Sequence, residues 1–109
     1  MVDVMDNLLK KRLLSNTFVD KVRNQMEIND AEYQELIEIL SNLSGELKSQ
    51  KVIDKELALI LYSMPQIIRN IFLTYEEHNG KATDFGNKLE DIWIDLDAMV
   101  LECFSDASI

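Results

Sequence analysis

His78 and Cys103 carry the side chains in this sequence best suited to proton transfer or nucleophilic attack. His78 is the only histidine and follows Glu76 and Glu77 at the end of a predicted helix. A histidine there meets the exposed carbonyl groups of the helix terminus favourably. Adjacent residues on a helix point in different directions, so neither glutamate is placed to form an acid–base pair with it. We interpret His78 as a structural residue.

Cys103 falls on the apolar stripe of the last predicted helix. A catalytic cysteine needs a base within reach and a lowered pKa. The acidic neighbours Glu102 and Asp106 would raise the pKa of the thiol instead. We interpret Cys103 as a small buried hydrophobic residue.

Acidic residues are abundant enough to raise the question of a metal site. Carboxylate-bridged metal centres in helical bundles use Glu-x-x-His motifs, and this sequence has none. The pairs Asp91/Asp95 and Glu35/Glu38 lack the loop geometry that oxygen-rich sites usually need. We therefore predict that the chain is not an enzyme and holds no metal or cofactor.

An excess of acid dominates the composition, since 20 Asp and Glu against 11 Lys and Arg give a formal net charge of −9. Binding to nucleic-acid backbones or to anionic lipid depends on Lys and Arg that neutralise phosphate, so both are disfavoured. A protein with a basic surface is the partner that electrostatics favours.

The charge is unevenly distributed along the chain. Residues 1–25 carry five basic and three acidic side chains, and the rest of the sequence carries the acidic excess. The basic segment either docks on the acidic remainder of its own chain or forms a separate basic site. The sequence leaves both alternatives open.

Three glycines and one proline in 109 residues indicate few turns and long helices. We predict an all-α fold, a single-domain antiparallel four-helix bundle over residues 1–109. The predicted helices are 2–14 with 17–26, 30–49, 54–78 and 84–104, followed by a tail at 105–109. The N-terminal 28 residues form one helix or two, and two would make five helices in all.

The segment LALILYSMPQII (57–68) has no charge and contains the only proline, Pro65. A helix that is apolar on most sides is typical of a bundle centre. Because proline cannot donate a hydrogen bond to the Leu61 carbonyl, we predict a kink there, with Ser63 capping the second half-helix. Polar residues such as Arg69 argue against a membrane-spanning helix.

In the last helix, Ile94 and Leu101 lie nearly opposite the stripe predicted to face the core. Both would face water on an outer helix, so we expect a partner to share this face. Acidic residues surround the pair. The predicted partner-binding residues are Asp91, Ile94, Asp95, Asp97, Leu101 and Glu102.

Three functions fit these features. The first is a small, acidic, non-enzymatic protein that occupies a basic surface of a larger partner, as inhibitors, immunity proteins and antitoxins do. The second is a homodimeric structural or regulatory bundle that shares the face around Ile94 and Leu101. The third is an acidic mimic of nucleic acid that blocks a nuclease or another nucleic-acid-binding protein.

In size, acidity and helical content the chain resembles the helical bacteriocin and colicin immunity proteins. The segment DAEYQELIEILSN (30–42) is similar to one amphipathic helix of such proteins. The resemblance is one of format and assigns no functional residue.

Cysteine usage and the N-terminal residues suggest a location. Cys103 is the only cysteine, and the N-terminus lacks the basic stretch, apolar run and small-residue cleavage site of a signal peptide. We therefore expect a cytoplasmic protein.

Overall fold

A computed structural model describes residues 4–48, 50 and 52–104, with side chains from Leu8 onward, and every regular element in this part of the chain is helical. The helices are α1 (Val4–Ser15), α2 (Phe18–Gln25), α3 (Asp30–Leu47), α4 (Lys55–Asn79) and α5 (Asp84–Phe104). The all-α prediction is confirmed. The tail predicted at 105–109 and the first residues of the predicted N-terminal helix lie outside the described residues.

The N-terminal segment divides into two helices at Asn16. The Asn16 N–H donates to the Arg12 carbonyl at 3.1 Å, which closes α1. The Asn16 side chain accepts a hydrogen bond from the Phe18 N–H and donates one to the Glu32 carbonyl, both at 3.0 Å. One amide side chain thus shapes the corner between α1 and α2 and joins it to α3.

The sequence Asn29-Asp30-Ala31-Glu32 predicts a capping box at the start of α3, and one of the two hydrogen bonds of that motif is present. Asn29 Oδ1 accepts a hydrogen bond from the Glu32 N–H at 3.0 Å, as an N-cap does. The Glu32 carboxylate turns to α2 instead, where its Oε1 lies 2.7 Å from Thr17 Oγ1 and 3.0 Å from Lys21 Nζ. These bonds lower the pKa of Glu32, the Thr17 hydroxyl most and Lys21 next.

The core is built from apolar stripes on α3 and α5. The spacing of apolar residues predicts two core-facing stripes, Tyr33, Leu36, Leu40, Leu43 and Leu47 on α3 and Phe85, Leu89, Ile92, Leu96, Met99 and Cys103 on α5. All of these residues are buried except Tyr33, Phe85 and Met99, which are partly buried. Helix α5 packs against both α3 and α4, α1 packs on α3, and α2 packs on both α3 and α4. Each buried leucine or isoleucine contributes roughly 1.5–3 kcal/mol relative to exposure.

Helix α4 continues without interruption from Lys55 to Asn79, with Pro65 inside it. The Ser63 hydroxyl donates to the Leu59 carbonyl at 2.7 Å, one turn earlier, so the prediction that Ser63 caps a second half-helix is wrong. The spacing of apolar residues predicts a row of Leu57, Ile60, Met64, Ile67 and Ile71 on α4, and the core-facing row in the structure is a different one. It comprises Leu57, Leu61, Met64, Ile68 and Phe72.

Part of α4 faces outward, although the sequence suggests a helix enclosed on most sides. Leu59 is 66% exposed and Tyr62 is 63% exposed. The helix is long and apolar enough to cross a membrane by length and composition, and about a third of its apolar stretch is buried inside the protein. Length and apolar composition alone do not identify α4 as a membrane-spanning helix, because the core helix of a soluble protein has both.

The basic N-terminal segment contacts acidic groups of its own chain. Lys10 Nζ lies 2.9 Å from Asp54 Oδ2 and 2.7 Å from Glu56 Oε1, both at the start of α4. Lys21 pairs with Glu32 at 3.0 Å. The intramolecular alternative thus accounts for these two lysines.

Candidate functional site

The orientation of α5 is set where the helix begins. The Gly80 N–H donates to the Glu76 carbonyl at 2.9 Å and ends α4, with Gly80 in the left-handed region at φ 86°. Thr83 Oγ1 then accepts from the Gly86 N–H at 3.0 Å. A Cβ on Gly86 would lie 2.8 Å from that oxygen and 3.5 Å from the Tyr75 ring. Glycine here lets the first turn of α5 lie close to its cap and to α4.

Polar contacts tie one flank of α5 to α3. Lys88 Nζ lies 3.1 Å from Asp30 Oδ1, and Lys48 Nζ lies 3.7 Å from Glu102 Oε2. Near the end of α5, the buried Cys103 Sγ lies 3.6 Å from the Leu40 carbonyl oxygen. These contacts mark the side of α5 that faces α3.

The other flank of α5 meets α4. The Arg69 guanidinium carbon lies 5.8 Å from the centroid of the Trp93 ring, within the range of a cation–π contact. Trp93 is partly buried against the core, and its Nε1 is buried with no hydrogen-bond partner among the described residues. Nearer the connection between the helices, the Tyr75 and Phe85 rings pack at 5.1 Å. Trp93 is a packing residue of this flank.

The outward side of α5 carries the predicted partner-binding residues. Ile94 is 47% exposed and Leu101 is 60% exposed. Three of the remaining predicted residues are also exposed, namely Asp91, Asp95 and Glu102, and the fourth, Asp97, is partly buried. Because all six belong to one helix, the spacing of the residues also fixes their relative positions.

Helical spacing arranges these side chains in three rows. Ile94 and Leu101 form a central apolar row, seven residues apart on one side of the helix. Asp91, Asp95 and Glu102 follow the edge toward α3, and Asp97 follows the edge toward α4. An apolar line bordered by carboxylates on both edges results.

Three further residues extend this surface, and the sequence-based prediction omitted them. Ala98 is exposed between Ile94 and Leu101 and continues the apolar row. Glu90 is exposed on the α4 side, and Phe104 is exposed at the far end. The helical repeat from Ile94 would have found them. We name the α5 face as Glu90, Asp91, Ile94, Asp95, Asp97, Ala98, Leu101, Glu102 and Phe104.

The negative potential of the α5 face extends to neighbouring groups. The Tyr33 hydroxyl lies 3.5 Å from Asp95 Oδ2, near the outer limit for a hydrogen bond. The pKa of Tyr33 rises to about 12, first because the ring is partly buried and then because of the charges of Asp95 and Asp91. Burial and the nearby Glu102 carboxylate raise the pKa of Cys103 to about 11.

The other reactive groups are not assembled into a site. His78 Nδ1 lies 2.9 Å from the Thr74 carbonyl oxygen of its own helix and is exposed. In the part of the chain that the structure describes, no group of three or more His, Cys, Asp or Glu side chains is placed to hold a metal ion. The α5 face is therefore the candidate site that the geometry defines best.

No protein-family model matches this chain, and no match is found among curated proteins or among solved structures.

Proposed function

We propose that the chain is a small acidic binding protein whose α5 face occupies a basic surface of a larger protein, in the manner of an inhibitor, immunity protein or antitoxin. The observation that carries this proposal is the exposed row of Ile94, Ala98 and Leu101 between two edges of carboxylates. Exposed apolar residues rimmed by polar groups are typical of protein interaction sites.

We infer the chemistry of the partner from the arrangement of the α5 face. Its surface has an apolar centre that covers the Ile94 and Leu101 side chains, with Lys or Arg on both sides of that centre. The apolar centre supplies affinity, and the charged edges accelerate encounter and set orientation. The same acidity supports the proposals that the chain binds neither nucleic acid nor anionic membranes directly.

A binding role fits the state of the reactive side chains better than a catalytic one. A cysteine nucleophile requires a lowered pKa, whereas burial raises the pKa of Cys103 to about 11. His78 contacts a backbone carbonyl of its own helix. We propose that the protein is not an enzyme, and the single buried cysteine is compatible with a reducing cytoplasm.

We also propose that the helices form one antiparallel bundle domain and that α4 bends at Pro65. Support for the antiparallel arrangement comes from two contacts between α4 and α5. Tyr75 packs on Phe85, whereas the earlier Arg69 packs on the later Trp93. Support for a bend comes from the missing N–H of Pro65 inside a continuous helix.

The experiment is affinity capture with the full chain, in which the wild type is compared with Ile94→Glu/Leu101→Glu. We expect the wild type to recover a basic protein that the double variant loses. A matched control, Leu8→Glu/Leu14→Glu, places the same charges at exposed positions of α1 and should retain the partner.

Two results would contradict the proposal. One is capture of acidic proteins alone. The other is a partner that both double variants retain equally, because binding would then be independent of the α5 face. Measurement of solution mass before capture separates partner binding from self-association through α5, since only the latter predicts a dimer that Ile94→Glu/Leu101→Glu abolishes.

A further inference from the structure

A second outward surface lies on α4, and its chemistry differs from that of the α5 face. Exposed side chains recur along α4 at alternating spacings of four and three. They are Lys55, Leu59, Tyr62, Gln66, Arg69 and Leu73, named here the α4 stripe. Such spacing keeps residues on one side of a helix. At 1.5 Å per residue the stripe is about 27 Å long.

The charge of the α4 stripe is opposite to that of the molecule as a whole. Its two charged members are Lys55 and Arg69, and Glu77 lies one turn beyond Leu73, so this face is net positive in a chain with a formal net charge of −9. Leu59, Tyr62 and Leu73 are all large apolar or aromatic side chains that are more than two-fifths exposed. Two copies of this acidic chain can therefore approach through the stripe with less repulsion than through the acidic α5 face.

We propose that the α4 stripe binds the α4 stripe of a second copy, antiparallel, about a two-fold axis at Gln66. The sequence along the stripe is complementary to itself in this register. Leu59 of one copy meets Leu73 of the other, and Gln66 meets its own symmetry mate. Tyr62 meets Asn70 and Arg69 meets Ser63, two polar residues that lie beside the stripe. The amides of the two Gln66 residues can hydrogen-bond each other, since an amide has both a donor and an acceptor.

The ends of the same register carry opposite charges. Lys55 of one copy meets Glu77 of the other, and the two-fold axis repeats this pair at the opposite end. Both residues are exposed in the single chain. A parallel arrangement would place Lys55 on Lys55 and Glu77 on Glu77, which is repulsive at both ends. Charge complementarity thus selects the antiparallel orientation.

The first test is sedimentation equilibrium of the full chain over a concentration series. We expect a monomer–dimer equilibrium that Lys55→Glu weakens about tenfold, because it converts two attractive pairs into two repulsive ones. Glu77→Lys should act similarly, and Lys55→Glu/Glu77→Lys should restore dimerisation. A chain that stays monomeric at about 1 mM, or a double reversal that fails to restore the dimer, overturns the proposal.

Crosslinking tests the register directly, with Cys103→Ser as the background. We expect Gln66→Cys to form a symmetric disulfide dimer, because Gln66 lies on the axis. Leu59→Cys should crosslink to Leu73→Cys in a mixture but not to itself. Self-crosslinking of Leu59→Cys would indicate parallel chains, and crosslinking of Ile94→Cys would place the dimer on α5; either result refutes this interface. Ile94→Glu/Leu101→Glu should leave the α4 dimer intact. The proposal of the α4 dimer and the proposal of the α5 partner can therefore be refuted independently.

Discussion

Lys10 Nζ lies 2.9 Å from Oδ2 of Asp54, and the same oxygen accepts the hydrogen bond from the Leu57 N–H, also at 2.9 Å. One carboxylate thus caps α4 and holds α1 against its first turn. The ammonium group of Lys10, and after it the Leu57 N–H, hold the pKa of Asp54 below its ordinary value of 3.8.

Asp54 therefore makes stability depend on pH in the acidic range. A carboxyl whose pKa is lower in the folded state stabilises the fold above its unfolded pKa, here 3.8, and this contribution is lost as the pH falls through the folded value. We expect Asp54→Asn to lower the urea midpoint at neutral pH and to make its decline toward about pH 2 shallower. Asparagine keeps a side-chain oxygen that accepts the capping hydrogen bond, so the substitution removes the charge and leaves the helix cap in place.

The control for this effect is Asp20→Asn. Asp20 pairs at 3.1 Å with Arg23 of its own helix, and both side chains are more than half exposed. Its variant should follow the wild-type pH profile, since exposed pairs contribute little. An Asp54→Asn profile parallel to that of the wild type would show that Asp54 does not contribute to acid sensitivity.

Ile94→Glu/Leu101→Glu should leave the fold intact. Both side chains project outward, so we expect the free energy of unfolding to change by no more than about 0.5 kcal/mol per site. Leu96→Glu on the same helix should unfold the protein, because Leu96 is fully buried and a carboxylate there has no water. Circular dichroism with urea titration checks both. If Ile94→Glu/Leu101→Glu unfolds the protein, both residues belong to the core and not to an outward face.

Two glycines on helices should respond differently to alanine. A Cβ added to Gly45, inside α3, would meet nothing within 4 Å, so Gly45→Ala should stabilise the protein by about 0.5–1 kcal/mol. For Gly86→Ala we expect a stabilisation about 1 kcal/mol smaller than for Gly45→Ala, because the new Cβ would displace the Thr83 hydroxyl that caps α5. Thermal unfolding of both variants provides the comparison. Equal gains would mean that the Thr83 cap contributes nothing.

Cys103 should resist alkylation in the folded protein. Its thiol is buried and has a pKa of about 11, so little thiolate forms near pH 8. We expect iodoacetamide to modify it slowly under native conditions and rapidly in urea, as measured by mass spectrometry. Fast native modification would show that the end of α5 opens readily.

The sequence was most informative where polar and apolar residues alternate with the helical period. The stripes of α3 and α5 point to the core as predicted, from Leu36 to Leu47 and from Leu89 to Cys103. The outward position of Ile94 and Leu101 follows from the same phase. In α4 most sides are apolar, so the pattern does not determine which side faces the core. The buried row contains Leu61 and Ile68 in place of the predicted Ile60 and Ile67.

Contacts between distant residues were beyond sequence reasoning. Nothing in the local pattern indicates that Glu32 reaches Thr17 and Lys21, or that Lys48 approaches Glu102. These pairs depend on how the helices are arranged in space. The rows of the α5 face were predictable because one helix carries them all.

Glu32 makes the stability of α2 dependent on α3. Its carbonyl binds Asn16, and its carboxylate binds Thr17 and Lys21, so the corner before α2 and the body of α2 are both attached to one residue. An isolated helix of eight residues is not stable in water. The amide protons of α2 should therefore exchange with solvent in step with the first turns of α3, as a single cooperative unit.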